Sequence, residues 1–187
     1  WASVAISHVV MNGGDKLLMV AGDISEQRRL TERLSHQASH DALTELYNRH
    51  EFEQRLHDAL ARVGPEAPAA LLYLDLDQFK LINDTRGHLG GDEVLRSLAS
   101  VLAGAVREMD LVARHGGEEF ALVLPRCDQP DAVRVVERMV ANVRKRTDLD
   151  GVTVSAGVAT LPQNAGDGRA LVAAARQISS AQSQTKH

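Results

Sequence analysis

The sequence predicts an α+β domain, a mostly antiparallel central sheet flanked by helices, and three observations predict it. The run Ala69-Ala70-Leu71-Leu72-Tyr73-Leu74 is apolar throughout and stops at Asp75-Leu76-Asp77, as expected of a buried central strand. Leu111-Val112-Ala113 and Phe120-Ala121-Leu122-Val123-Leu124 flank Arg114-His115-Gly116-Gly117-Glu118-Glu119, the pattern of two strands joined by a tight turn. Around these strands the helical segments fall in the order α, β, α, β, β, α, β, α, which excludes a regular parallel βαβ array. At 187 residues and 44% hydrophobic, the chain can build one ordinary core and a small appendage.

The elements follow in order. Residues 1–24 alternate weakly (Val4, Ile6, Val9-Val10, then Leu17-Leu18-Met19-Val20) about an Asn12-Gly13-Gly14-Asp15 turn, and read as a β-hairpin. Two strands alone are marginal in water, so the hairpin is expected to belong to a domain whose earlier part is missing. A helix follows over about 27–37, with Asp23 or Ser25 as its cap, and makes residues 25–40 a linker helix. Its stripe Ile24, Leu30, Leu34 and Ala38 is close to heptad spacing, which suits a parallel dimer and equally a helix packed on its own domain. The main domain is expected over 41–187. Asp41–Arg49 is a turn leading into a helix over 48–63, closed by Gly64-Pro65-Glu66-Ala67-Pro68. After the central strand 69–75 come a short helix 79–84 ended by Gly87 and a longer one over 88–106 with Val94, Leu95, Leu98, Val101 and Leu102 on one side. Asp128 and Pro130 open a helix to about Lys145, Val152–Ala159 is another strand, and 168–183 is an alanine-rich last helix.

Composition narrows the function classes. A net charge of −4 argues against a nucleic-acid partner, and an acidic protein that handles phosphates needs metal ions or backbone amides. The single cysteine, Cys127, excludes an internal disulfide and suits a reducing cytoplasm, where it is a small apolar filler. No run approaches a membrane span, so no direct membrane contact is expected of this segment. The start at Trp1 points to a fragment of a longer protein that is itself open to membrane tethering.

The chemistry concentrates at two acidic clusters. Gly116 and Gly117 are expected at a hairpin tip, turning with φ > 0 and approaching a ligand closely. Glu118 and Glu119, adjacent in a strand, point to opposite faces and so differ in role. Alone, Gly-Gly followed by charges is equally an ordinary solvated hairpin. If the strand ending at Asp75 lies beside the hairpin, Asp75 and Glu118 converge on one hard divalent cation, Mg²⁺ or Mn²⁺.

Taken together, DALTELYNR (41–49), DLDQFKLINDTRGHLGGD (75–92), Arg107-Glu108-Met109-Asp110, RHGGEEF (114–120) and VTVSAGVAT (152–160) resemble the GGDEF family, the diguanylate cyclases, over about residues 38–187. Gly22-Asp23-Ile24-Ser25-Glu26 resembles the end of a PAS sensor domain. The resemblance implies a fold like adenylyl-cyclase and polymerase palm domains. It also implies a transferase of bacterial second-messenger signal transduction: two GTP condense to cyclic di-GMP and two pyrophosphates across a homodimer, each 3′-hydroxyl attacking the α-phosphate of the other GTP. It assigns Asp75 and Glu118 as metal ligands with the Leu76 carbonyl as a third, and Glu119 as support for metal binding or for deprotonation of the attacking hydroxyl. Gly116 and Gly117 let the hairpin approach GTP. Phe79 and Lys80 meet the phosphates, and Asn83 and Asp92 read the guanine edge, where a carboxylate accepts from N1–H and the 2-amino group. Arg107 and Asp110, separated from Gly116 by five residues, match the family's product-inhibition site, with Arg138 as its second arginine. Each assignment has a plain alternative: Asp75 as a strand end, Asn83 as a helix-ending residue, Asp92 as a helix charge, Lys80 as a solvated cation, and Arg107 and Asp110 as a surface ion pair.

The chain departs from the family pattern in two places. Glu45 replaces glycine in DxLTGLxNR, and a local backbone adjustment is expected there. In the last helix, Ala175-Arg176-Gln177-Ile178-Ser179-Ser180-Ala181-Gln182 stands against AD-x-ALY-x-AK; Gln182 replaces the expected lysine, for which Lys186 partly substitutes. The departure keeps a second reading alive: a weak or inactive module that binds GTP or cyclic di-GMP to regulate an attached or partner domain.

Overall fold

The computed structural model describes residues 1–11, 14–64, 67–161 and 170–177. They fall in two compact units, Trp1–Ala38 and Ser39–His187.

In the first unit, β1 (Ala2–Met11) and β2 (Gly14–Asp23) pair antiparallel from Ala2↔Asp23 to Met11↔Gly14; the turn residues 12 and 13 lie outside the described set. Helix α1 spans Ser25–Ser39 and buries no residue; Leu30 and Leu34 of the heptad-like stripe are exposed. Its first intrahelical bond runs from Arg28 N–H to the Ile24 carbonyl, and the Asp23 carboxylate accepts the Ser25 N–H at 2.8 Å. Asp23 therefore serves the helix start from just outside it, and Ser25 is already the first helical residue.

The second unit is built on a four-stranded sheet in the order β4-β5-β3-β6, where β3 is Ala69–Leu76, β4 Leu111–Arg114, β5 Glu119–Pro125 and β6 Val154–Leu161. Every pairing in it is antiparallel. β3 sits between β5 and β6, and both of its faces are covered, which is why it reads as an unbroken apolar run. Leu72, Leu74 and Leu76 face α3 (Phe79–Gly104) and α4 (Gln129–Lys145), with Leu95, Leu98, Leu102 and Met139 in the same core. Leu71 and Tyr73 face α2 (Arg49–Leu60) and α5 (170–177), packing with Phe52, Leu56, Leu171 and Ala175. The expected remainder of the last helix lies outside the described residues, and with it Ser179, Ser180, Gln182 and Lys186.

Side chains cap two of the helices. Asn48 accepts the Glu51 N–H at 3.0 Å to start α2, and Asp128 accepts the Asp131 N–H at 2.9 Å to start α4, with Pro130 in its first turn. The two helices expected over 79–84 and 88–106 are both present as the halves of α3, separated by Gly87 at the non-helical φ 73° and ψ 168°, and the second ends at Gly104. Glycine alone takes that φ without strain.

Glu45 does not adjust as expected: it holds φ 61°, in the left-handed region. The turn is locked around it. The Asp41 carbonyl accepts the Glu45 N–H, and Asp41 Oδ1 accepts both the Thr44 N–H and its hydroxyl, at 2.9 and 2.7 Å. Left-handed backbone costs a residue with a Cβ about 1–2 kcal/mol, partly offset by the unfolded-state entropy that glycine would add. Glu45→Gly should therefore stabilise the protein by about 0.5–1 kcal/mol and raise the melting temperature by about 1–4 °C in a calorimetric scan.

Candidate active site

The register of the sheet brings the acidic residues together. Asp75 lies directly across from Glu119 on β5 and from Ser155 on β6. The Glu118 carbonyl, one residue earlier, accepts the Leu76 N–H at 3.2 Å, so the hairpin mouth is stitched to the end of β3. Burial raises the Asp75 carboxyl most, and Glu118, Glu119 and Asp77 add to it, pushing it up to about 6. Asp77 is buried and accepts from the hydroxyls of Thr153 at 2.6 Å and Ser155 at 2.5 Å, while its N–H donates to the Thr153 carbonyl. It fastens the end of β3 to the start of β6 and leaves Asp75 as the acid that faces the hairpin.

The two hairpin glycines work through space rather than through positive φ: among the described glycines only Gly87 and Gly151 have it. A Cβ on Gly116 would lie 2.5 Å from Glu119 Oε2 and 3.3 Å from Glu119 Cβ, so glycine there lets that side chain fold over the loop. Gly117 has open space, and its carbonyl accepts from Arg114 Nη2 at 2.8 Å. Arg114 Nη1 also reaches Asp41 Oδ1 at 3.1 Å, tying the 41–49 turn to the hairpin. Burial raises the Asp41 carboxyl, but its bonds to Thr44 and Arg114 outweigh this and hold it below the usual range.

Glu119 has a cation on it. Arg176 Nη2 of α5 donates to Glu119 Oε1 at 2.6 Å. On the same side of the sheet Tyr73 Oη and His115 Nδ1 share a buried hydrogen bond of 3.0 Å. Burial, then the neighbouring Arg49, keeps His115 below its ordinary value, and burial together with Glu119 pushes the Tyr73 phenol far above its own.

At the other end of the cluster, α3 starts from Gln78, itself in left-handed backbone at φ 56° and making no side-chain cap. Its first intrahelical bond is Ile82 N–H to the Gln78 carbonyl, so the amides of Phe79 and Lys80 stand at an uncapped helix start two residues past Asp77. Lys80 is exposed. Asn83 and Asp92, both half-buried, flank the Gly87 kink. Gly91 holds them close: a Cβ there would overlap Asn83 Oδ1 and crowd the Phe79 ring at 3.3 Å.

Arg107, Asp110 and Arg138 meet on a separate surface. The Arg107 N–H donates to Asp110 Oδ2 at 2.8 Å, and Arg138 Nη2 donates to the Ala105 carbonyl at 2.7 Å. Burial raises the Asp110 carboxyl, against the pull of Arg107 and Arg138.

A family model described as diguanylate cyclase, GGDEF domain, matches residues 38–187. This chain belongs to the GGDEF family. It is 45% identical over 155 residues to the diguanylate cyclase DgcM of Escherichia coli K12, and 43% identical over 158 residues to TpbB of Pseudomonas aeruginosa UCBPP-PA14. Those alignments take in 78% and 79% of this chain but only 37% and 36% of the relatives, so the chain spans little more than a third of their length. Among solved structures it is similar to the coiled coil and GGDEF domain of DgcB from Caulobacter crescentus in complex with c-di-GMP. That likeness has a TM-score of 0.79 and 31% identity, and covers 87% of this chain and 89% of that one.

GGDEF diguanylate cyclases use a divalent metal, and the acidic cluster fits one. Burial and the neighbouring carboxylates push Asp75 toward protonation, and such a cluster of carboxylate oxygens is a hard donor set suited to a cation. Asp75, Glu118 and the Leu76 carbonyl are the groups that would hold it. Among the described residues, no three acidic, imidazole or thiol side chains are already gathered around one point.

Four contributors escaped the sequence reading: Asp77, Gly91, the Asp41–Arg114 link and Arg176. Asp77 was visible as part of the acidic triplet, and its partners Thr153 and Ser155 as part of VTVSAGVAT, but nothing local connects them. Arg176 stood in plain view, aligned with the acidic residue of the family's last helix.

Relief of the carboxylate repulsion should be measurable. In chelator, Asp75→Asn is expected to melt about 2–5 °C above the parent protein at pH 7. Because the folded-state pKa of Asp75 is raised, the penalty is absent while the carboxyl is protonated in both states. The gap should therefore vanish below about pH 4, grow through pH 4–6 and level off above.

Proposed function

We propose that this chain is a diguanylate cyclase that condenses two GTP into cyclic di-GMP and two pyrophosphates, each 3′-hydroxyl displacing pyrophosphate from the α-phosphate of the other nucleotide. The observation that carries the reading is the acidic cluster at the end of β3, Asp75 across from Glu119 with Glu118 beside them. Phosphoryl transfer asks chiefly for in-line placement and charge neutralisation. A bound divalent ion supplies charge neutralisation at the phosphates and acidifies the attacking hydroxyl. Asp75, Glu118 and the Leu76 carbonyl are the groups that would hold that ion, and Glu119 would support it or take the hydroxyl proton. The uncapped start of α3 offers the Phe79 and Lys80 amides to phosphate oxygens, with the Lys80 ammonium beside them. Gly116 and Gly117 leave the hairpin bare enough to lie against the nucleotide. Asn83 and Asp92 select guanine, since Asp92 accepts from two donors that adenine lacks.

The two reacting nucleotides need two sites, so the working form is a homodimer. Its exposed α1 stripe supplies a pairing seam of the coiled-coil kind. The N-terminal hairpin is the tail of a PAS sensor that sets activity through α1, the protein works in the cytoplasm, and Arg107, Asp110 and Arg138 bind product and inhibit. Arginine's planar fork suits both guanine stacking and phosphate contact. The regulatory alternative, a binding module with little turnover, is favoured by one specific observation, the cation already seated on Glu119.

Incubation with GTP and Mg²⁺ should yield cyclic di-GMP by chromatography, and Glu118→Ala should lower the rate by at least about a hundredfold. GTP binding without product at high protein concentration would favour the regulatory reading instead. A finer test uses Gly91→Ala. The added methyl displaces the tip of Asn83 and crowds the edge of the Phe79 ring, and alanine's better helix propensity offsets part of that strain. The melting temperature should therefore move by no more than about 4 °C, while the apparent affinity for GTP falls at least about tenfold.

A further inference from the structure

The Arg176–Glu119 ion pair differs from the local pairs of this domain, such as Arg49–Glu53 and Arg134–Asp131, which join side chains one helical turn apart on exposed faces. Like Arg114–Asp41 it links distant elements. Arg176 instead crosses from α5 to the first residue of β5, and its partner belongs to the acidic cluster itself. The two side chains differ in freedom. Glu119 is 20% exposed and pinned by the strand ladder, whereas Arg176 is 54% exposed and borders an open groove shared with Arg49, Glu53 and His115. The acid is fixed in the strand, and the base, which also lies over the Tyr73 ring at 5.7 Å, is the more exposed member of the pair.

The charge around Glu119 is also mixed. Asp75 lies across the strand pair from it and Glu118 precedes it in the chain, while Arg176 and Arg49 both act on it as cations. An arginine at 2.6 Å occupies one carboxylate oxygen and offsets part of the negative charge that would draw a divalent ion. It also holds Glu119 toward α5, in keeping with the absence, among the described residues, of three donor side chains around one point.

We propose that Arg176 is a resident counter-cation of Glu119 that competes with the divalent metal ion for its carboxylate, so that metal entry requires Arg176 to let go. The inference rests on the proposed metal site and adds a positioning residue to it: Arg176 touches neither nucleotide nor metal and acts through Glu119. It sets a threshold of metal concentration, below which Glu119 stays with the arginine.

The test is direct metal binding, which needs no turnover. Free Mn²⁺ is titrated into the 187-residue chain without nucleotide and followed by electron paramagnetic resonance. Arg176→Ala and the longer neutral Arg176→Gln should each bind Mn²⁺ at least about fivefold more tightly than the parent, and Arg176→Lys, which restores a cation, should return toward the parent value. In a Glu119→Gln background the Arg176→Ala gain should vanish, because the contested carboxylate is gone. Unchanged or weaker Mn²⁺ binding by both neutral variants would overturn the proposal, as would a full gain persisting in Glu119→Gln, which would reduce Arg176 to a distant charge. Failure to make cyclic di-GMP would count against the cyclase reading and leave this titration fully readable.

Discussion

The site depends on one constraint, the ladder that pins the end of β3 between β5 and β6. Asp75 is placed opposite Glu119 and Ser155 by backbone register alone, and a one-residue slip would send its carboxylate to the other face. Register is secured by burial on both sides: Leu72 and Leu74 are locked into one core, Leu71 and Tyr73 into the other, all at 1% exposure or less. The hydrophobic strand thus holds together carboxylates that would otherwise part. Asp77 completes the arrangement by sending its own charge into the hydroxyls of Thr153 and Ser155, so that three acids in and beside one strand end are not left to repel one another unopposed.

Glycine does three different jobs around this constraint. Gly87 supplies a left-handed φ that breaks α3 and re-aims its second half, Gly91 removes a Cβ so that Asn83 and Phe79 can close on it, and Gly116 removes one so that Glu119 can lie over its own loop. Only the first is a matter of backbone freedom. The contrast with Glu45 is instructive: there the chain accepts left-handed backbone at a residue with a Cβ, because the Asp41–Thr44 bonds from within and Arg114 from outside fix the turn.

What was legible in the sequence follows from range. The buried run of β3, the β4–β5 hairpin, the helix opened by Asp128 and the break at Gly87 are written in neighbouring residues, and the structure returns each of them. The tertiary fasteners were not legible. Asp77 to Thr153, Asp41 to Arg114 and Arg176 to Glu119 join residues 76, 73 and 57 positions apart, and no periodicity or spacing links them. The glycines of the hairpin show the same limit from the other side. Their identity announced a tight place, but whether the tightness was in φ or in space depended on where Glu119 folds.

Arg176 sharpens what such a limit means for function. The carboxylates by themselves describe a site hungry for cations, with Asp75 pushed up to about 6 by burial first and by its acidic neighbours second. A site in that condition either takes up a metal ion readily or finds an internal substitute, and here one of its carboxylates has found the substitute. A guanidinium satisfies the electrostatics of Glu119 but cannot bring phosphate oxygens and carboxylates onto one centre, because it offers donors and no coordination sites. Under the proposed reading, charge neutrality and catalytic readiness are therefore separate states of the same acidic cluster, and a change on α5 that loosens Arg176 moves the protein from the first toward the second.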